Sequence, residues 1–262
     1  SAFGGDPPAT ESQMTCHTPD LAPDLRASPA LRHRLARGHA RAVVARAQSA
    51  DEEAVFEALR ALPIGAKGTA RALARLARRP GVVRVAQAAR GAVVVTRQVC
   101  DVTVVHEGAV AFTERGLLYT RLAVRQTRGW VHTTAHRASF SAHALERLVQ
   151  RSDTSPERLD EATDAEAAAL LGAVARGAVI EARGDAYLAA RARGVWAGSL
   201  DCSPGDGAWN DHAAEIAVPT FSARTFLGED EMSPFVWWQW RGAGGVQPGD
   251  AKRDRGAQGA AA

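Results

Sequence analysis

The sequence predicts an α+β fold, and three changes of pattern along the chain predict it. Over residues 28–90 apolar residues recur at helical spacing; over 91–138 they alternate with a period of two; from 139 a helical pattern returns and gives way to strands. The expected organisation is a helical section at 28–90, antiparallel strands at 91–138, and a helix–helix–antiparallel-sheet unit at 139–241. A lead at 1–27, rich in Pro, Asp, Ser, Thr and Gly, and a tail at 242–262 show no periodicity and are expected to be flexible.

Each element has a local signature. Ser28 and Pro29 form an N-cap and first-turn pair, and Leu31, Leu35, Val43 and Val44 give the following helix one apolar side. "SADE" at 49–52 reads as a capping box for a helix carrying Val55, Phe56, Leu59 and Leu62 and ended by Pro63. A third helix is predicted near 67–79, with Leu73 and Leu76 inward, Arg71, Arg75, Arg78 and Arg79 outward, and "RRPGV" as its break. "AVVVTRQ", "DVTVVHE", "AVAFTE", "GLLYTRLAVRQT" and "GWVHTTAHRASF" then read as strands of a meander, with "TERG" at 113–116 as a hairpin turn. A helix at 142–151 follows. "TSPE" and "TDAE" supply caps, and "AEAAALLGAVAR" is a helix stopping at Gly177. "AVIEAR", "YLAARARGVWAGSL" and "AAEIAVPTFSARTFL" are strand-like, "SPGDGAWNDH" is a loop, and "EMSPFVWWQW" is apolar. All six tryptophans fall after residue 129, so the C-terminal half is expected to have a core of its own.

Composition narrows the function classes. The chain has 262 residues, 46% apolar, with a net charge of +3 and a pI near 9.0. These values fit an ordinary globular protein able to bury a core without staples. Lysine occurs only at 67 and 252, so thirty of the 32 basic residues are arginine. A GC-rich gene accounts for that bias; phosphate recognition by bidentate arginine is the functional alternative. Cys16, Cys100 and Cys202 are widely spaced, which supports neither a disulfide framework nor a zinc finger and fits a reducing, cytoplasmic setting. No apolar run has the length of a membrane span, so no membrane association is expected.

The helix at 142–151 carries the functional reading. At 100° per residue, Leu145, Leu148 and Val149 share one side, and His143, Glu146, Arg147, Gln150 and Arg151 the other. His143 lies in the first turn, where the helix dipole disfavours its charged form and leaves a neutral imidazole that can act as a base. Arg147 and Arg151 follow one and two turns on, spaced to hold a phosphate. In "PTFSARTFL", alternation puts Thr220, Ser222 and Arg224 on one face and Phe221, Ala223 and Leu227 on the other. The plain alternative for both segments is a solvated face.

The order of helices and antiparallel strands, with S-x-H-A-L-x-R opening the first helix, resembles the barnase/EndoU/colicin/RelE type of bacterial ribonuclease toxin over about residues 139–227. The resemblance implies a metal-independent endoribonuclease that needs no cofactor. His143 would be base or acid, Arg147 and Arg151 the phosphate clamp, and Ser222 a further catalytic residue. Thr220, Arg224 and Thr225 would bind substrate, RNA would be the partner, and an inhibitory or immunity protein would accompany it. The flanking strands and the 90-residue N-terminal part have no place in the minimal toxin. Two readings compete: a non-catalytic module binding nucleic acid or protein through the Arg-rich helices and "WWQW", and a metal-dependent hydrolase ligated by His132, His136 and His143. Four residues of strand separate the first two histidines, a long reach for shared coordination. A phosphate loop, a GxSxG elbow and a deaminase PCxxC are all missing from the sequence.

Overall fold

A computed structural model describes residues 29–63, 65–88, 91–106, 109–127, 130–204 and 217–242. The lead at 1–27, Ser28 and the tail beyond Gly242 lie outside the described residues. Three helices come first: α1 (Pro29–Arg46), α2 (Glu52–Arg60) and α3 (Ala66–Leu76). Four strands follow: β1 (Val82–Ala88), β2 (Gly91–His106), β3 (Ala109–Thr127) and β4 (Trp130–Ser141). The second half begins with α4 (Ala142–Arg151) and α5 (Leu159–Ala175), then β5 (Ile180–Ala182), β6 (Asp185–Ala189), β7 (Val195–Pro204), β8 (Ala217–Leu227) and α6 (Pro234–Gly242). Two one-turn 3-10 helices sit at Pro156–Arg158 and Glu229–Glu231.

The α+β class is as the sequence predicts, but the halves are not separate layers. All eight strands form one mixed sheet in the order β1-β2-β3-β4-β8-β7-β6-β5. Each half contributes an antiparallel meander, and the two meet at the parallel pair β4–β8, where Arg137 to Phe140 run beside Thr220 to Ala223. The helices divide between the two faces. On the front, Ala36, Ala40, Val43 and Val44 of α1 pack with Leu145 and Leu148 of α4, Leu170 and Leu171 of α5, and the sheet residues Leu117, Tyr119, Phe140, Trp196, Phe221 and Phe226. On the back, α2 and α3 cover Ala92, Val94, Leu122 and Val124. α6 covers the other edge of the back through Val195, Leu227, Met232 and Trp240. Strand alternation explains the division, since residues i and i+1 point to opposite faces and both faces here are apolar.

One aromatic chain runs through the front core across the junction of the halves. Tyr119 and Phe140 lie edge to face at 5.8 Å between centroids, Phe140 and Trp196 at 4.9 Å, and Trp196 and Phe226 at 5.3 Å. Each such pair adds about 0.5–1.5 kcal/mol beyond the area it buries. The core is therefore shared rather than private to the C-terminal half. The "WWQW" segment divides: Trp240 is buried, Trp238 is 67% exposed, and Arg241 stacks on Trp237 at 4.5 Å.

Several local expectations change in the folded chain. The helical section ends at Leu76, and the last part of 28–90 is strand β1. "TERG" is not a turn, because β3 runs through it paired with β2 from Cys100 to Thr103. Asp51, not Ser49, caps α2: its carboxylate accepts from the Ala54 amide at 2.9 Å, while Ser49 Oγ accepts from Val99 N. In β8 the strict alternation fails at Arg224, the extra residue of a bulge opposite Ala197 and Gly198. Leu227 thereby joins the α6 side, away from Phe221 and Ala223. The stop of α5 is as predicted: Gly177 has φ +67°, its amide bonds Val174 O, and the Ala178 amide bonds Ala173 O, a Schellman ending.

Candidate functional site

The N-terminus of α4 is held from two sides. β4 ends at Ser141 opposite Gly116, while β3 continues beyond that point. This leaves Glu114 beside the first turn of α4. Ser141 Oγ accepts from the Ala144 amide at 3.1 Å, and Glu114 Oε1 accepts from the His143 amide at 3.0 Å. Two amides without partners inside the helix are satisfied, and a carboxylate sits at the positive end of the dipole. Ala144, Leu145, Leu148 and Val149 are buried, so the orientation of α4 is fixed by its apolar face, as its periodicity predicts.

That orientation brings His143, Glu146 and Arg147 together on the outer side. Arg147 Nε lies 3.4 Å from His143 Nε2, and Glu146 Oε2 lies 4.0 Å from His143 Nδ1. Arg147 Nη1 donates to Gln150 Oε1 at 2.9 Å, and Gln150 Nε2 donates to Glu146 Oε1 at 2.8 Å. The Arg147 Nε–H points at His143 Nε2, and Glu146 stands on the Nδ1 side of the ring. The histidine side chain is 42% exposed and open to a ligand.

The other predicted site residues are elsewhere. Arg151 is built into the fold: it donates to Phe226 O at 2.7 Å and Thr225 Oγ1 at 3.3 Å, and pairs with Glu231 at 2.9 Å. It ties the end of α4 to the end of β8, and is not spare for a phosphate. Burial lowers its pKa, and Glu231 opposes that shift. Thr225 is occupied as one of its acceptors. Ser222 stands in register with Ser139 and Ser199 on the back face, whereas Phe221 and Ala223 point to the α4 side. Thr220 shares that face, with its hydroxyl 2.6 Å from Ser203 Oγ. Arg224 pairs with Asp185 at 3.1 Å. The sheet itself therefore separates Ser222 and Thr220 from His143.

His132 and His136 lie on the front of β4, opposite Arg125 and Arg121 of β3, and His143 lies beyond the strand's end on α4. Among the described residues, no group of three His, Cys, Asp or Glu is placed to hold a metal.

Two polar clusters, the first part-buried and the second buried, were not legible in the sequence. Tyr119 OH donates to Asp164 Oδ1 at 2.7 Å, and Arg97 bridges Asp160 and Asp164 at 2.8 and 2.9 Å. Burial pushes Asp164 up and Tyr119 well up, and the adjacent Asp164 charge raises the phenol further. The Tyr119 hydroxyl consequently stays a donor. Glu166, 4% exposed, accepts from the Arg191 and Ala192 amides and from Trp196 Nε1. The spacing of Asp160 and Asp164 at i and i+4 was the one available signal, but their partners are 45 or more residues away.

The chain matches no protein-family model, and neither curated proteins nor solved structures show a significant match to it. No helix among the described residues is long and apolar enough to cross a membrane.

Proposed function

We propose that the protein binds RNA across the paired outer surfaces of α1 and α4. The observation that carries this reading is the packing of a helix without acidic residues against the helix that bears His143 and Arg147. Ala36, Ala40, Val43 and Val44 of α1 face the core, which leaves His33, Arg34, Arg37, Arg41 and Arg46 in solvent. A row of arginines on the helix packed against α4 suits a phosphate backbone, and guanidinium groups give bidentate contacts that lysine cannot. A cytoplasmic location belongs to the same reading.

The His143, Glu146 and Arg147 cluster favours a sharper version, metal-independent cleavage at that point. A base and a cation suffice where the substrate supplies its own nucleophile, and the ribose 2′-hydroxyl does so. His143 Nε2, released by Arg147, would take the 2′-hydroxyl proton as that oxygen attacks phosphorus; the P–O5′ bond would break, the leaving 5′-oxygen would take a proton from the imidazolium or from water, and Arg147 would turn to the phosphate. Glu146 would hold Nδ1–H and balance the imidazolium. Ser222, Thr220, Arg224 and Arg151 have no part in this version.

The test is anisotropy of a labelled single-stranded RNA over a salt series, followed by gel analysis in EDTA. Replacing Arg34, Arg37 and Arg41 together by Gln should weaken binding and flatten the salt slope by about 2, at roughly 0.7 per lost phosphate contact. His143→Ala should leave binding in place and abolish 2′,3′-cyclic phosphate products. Binding that ignores the three arginines would overturn the surface; cleavage surviving His143→Ala would overturn the sharper version alone.

A further inference from the structure

The front of the sheet carries a second feature that the α1–α4 surface does not use. Beyond the aromatic chain, the row of core residues on β3 and β4 continues as Arg121, Ala123 and Arg125 opposite His136, Thr134 and His132. Arg121 and His136 are direct cross-strand partners, so their Cβ atoms are about 4.5–5.5 Å apart. Arg176, at the end of α5, is close enough to Arg121 to lower its pKa together with burial. Burial and Arg121 lower His136 in turn. His136 Nδ1 is buried and has no hydrogen-bond partner among the described residues. None of Arg121, Arg125, Arg176, His132 or His136 forms an ion pair with a described carboxylate. Like charges gathered without a counter-ion raise one another's energy, and an arriving oxyanion relieves all of them together.

Next to this cluster lies a half-open cavity of about 780 Å3. Ala88, Val93 and Ala123 form an apolar floor on the front face, and Arg125, His132 and Thr134 stand around it. The size is that of a small-molecule site. Apolar floor and cationic end are continuous, since Ala123 and Thr134 are each two residues along their strands from Arg121 and His136.

The geometry points to a binding site for a small amphipathic oxyanion, with the apolar body on Ala88, Val93 and Ala123 and the carboxylate or phosphate head held by Arg121, His136 and Arg176. His136 Nδ1 has unused valence among the described residues, and a turn of the ring toward the cavity brings it to the head group. Such a ligand favours the charged imidazole, so binding takes up a proton. Affinity rises as the pH falls below the ordinary histidine range, with Arg121, Arg125, Arg176 and His132 as the other charged or titratable groups facing the site.

The experiment is isothermal titration of the full chain with n-decyl phosphate, decanoate, inorganic phosphate and decanol, each below its aggregation limit. Decyl phosphate or decanoate should bind with one-to-one stoichiometry, and whichever binds tighter identifies the head group. Arg121→Gln should weaken that binding by about tenfold or more, the loss expected for one charge-assisted contact. Arg176→Gln should weaken it less, and His136→Gln should leave only the pH dependence of the ligand's own ionisation. Thermal melts of each variant establish that it is folded, and Arg158→Gln, on an exposed surface pair, should change nothing. Replacing Arg34, Arg37 and Arg41 should leave it intact, which separates this site from the RNA surface. Four outcomes overturn the inference: no binding by either amphiphile, decanol binding as tightly as decyl phosphate, inorganic phosphate binding as tightly as both, or Arg121→Gln binding like wild type.

Discussion

Replacing Glu166 by Ala should destabilise the protein by about 3–5 kcal/mol, and the structure supplies the parts of that figure. The carboxylate accepts from Trp196 Nε1 at 3.1 Å, from Arg191 N at 2.9 Å and from Ala192 N at 2.6 Å. Trp196 is fully buried, so its indole N–H is left without an acceptor, which costs about 1–3 kcal/mol. Arg191 is exposed and Ala192 half-buried, so water can reach both amides after the change. Each then loses only the net value of a hydrogen bond, about 1 kcal/mol. The sum is a large part of a typical stability of about 5–15 kcal/mol. Trp196 also sits between Phe140 and Phe226, so its displacement would disturb the junction of the two halves. The assay is chemical denaturation followed by circular dichroism, with Glu161→Ala as the control. Glu161 pairs with Arg158 in solvent, both side chains more than 70% exposed, and an exposed pair of this kind contributes about 0–1 kcal/mol. If Glu166→Ala and Glu161→Ala shift the midpoint equally, Glu166 is not the anchor of the 190–193 turn and the accounting above is wrong.

Two further outcomes follow from the same structure. Ser141→Ala should cost about 1 kcal/mol, because it removes one of the two acceptors at the start of α4; combining it with Glu114→Gln should cost more, read by thermal melting, and a double variant as stable as wild type would refute the double cap. Stability should fall as the pH drops below about 6.5, the ordinary histidine value, because His136 has a lowered pKa in the folded state and the unfolded chain takes up its proton first. This contribution is intact above that value and lost through the window down to the lowered one, so His136→Gln should flatten it. Asp164 is raised and acts with the opposite sign in the window above the ordinary carboxylate value.

Helices α1 to α5, the change to strands, the faces of α4 and the end of α5 are legible in local sequence, whereas α6 is not. These depend on groups a few residues apart: the i, i+3, i+4 spacing of Leu145, Leu148 and Val149, the hydroxyl of Ser141 three residues before Ala144, and the freedom of Gly177 to take a positive φ. The sequence by itself also determined that His143, Glu146 and Arg147 share a surface, since one helix holds all three. Tertiary structure alone decided what that surface works with. The sequence offered Ser222 and Thr220 as partners of His143, but which face of a strand meets which helix is settled by β4 and β8 pairing in parallel at the centre of one sheet. That pairing turns Phe221 and Ala223 toward α4 and turns Ser222 away. Arg151 reads as a free cation because Phe226 O and Glu231 are some 75 to 80 residues further along the chain. The meeting of Arg121 with His136, Arg176 and the apolar floor was equally out of reach. Local spacing records what a residue can do within one element; burial, register and counter-charge depend on contacts between distant segments, and those form only when the chain is folded.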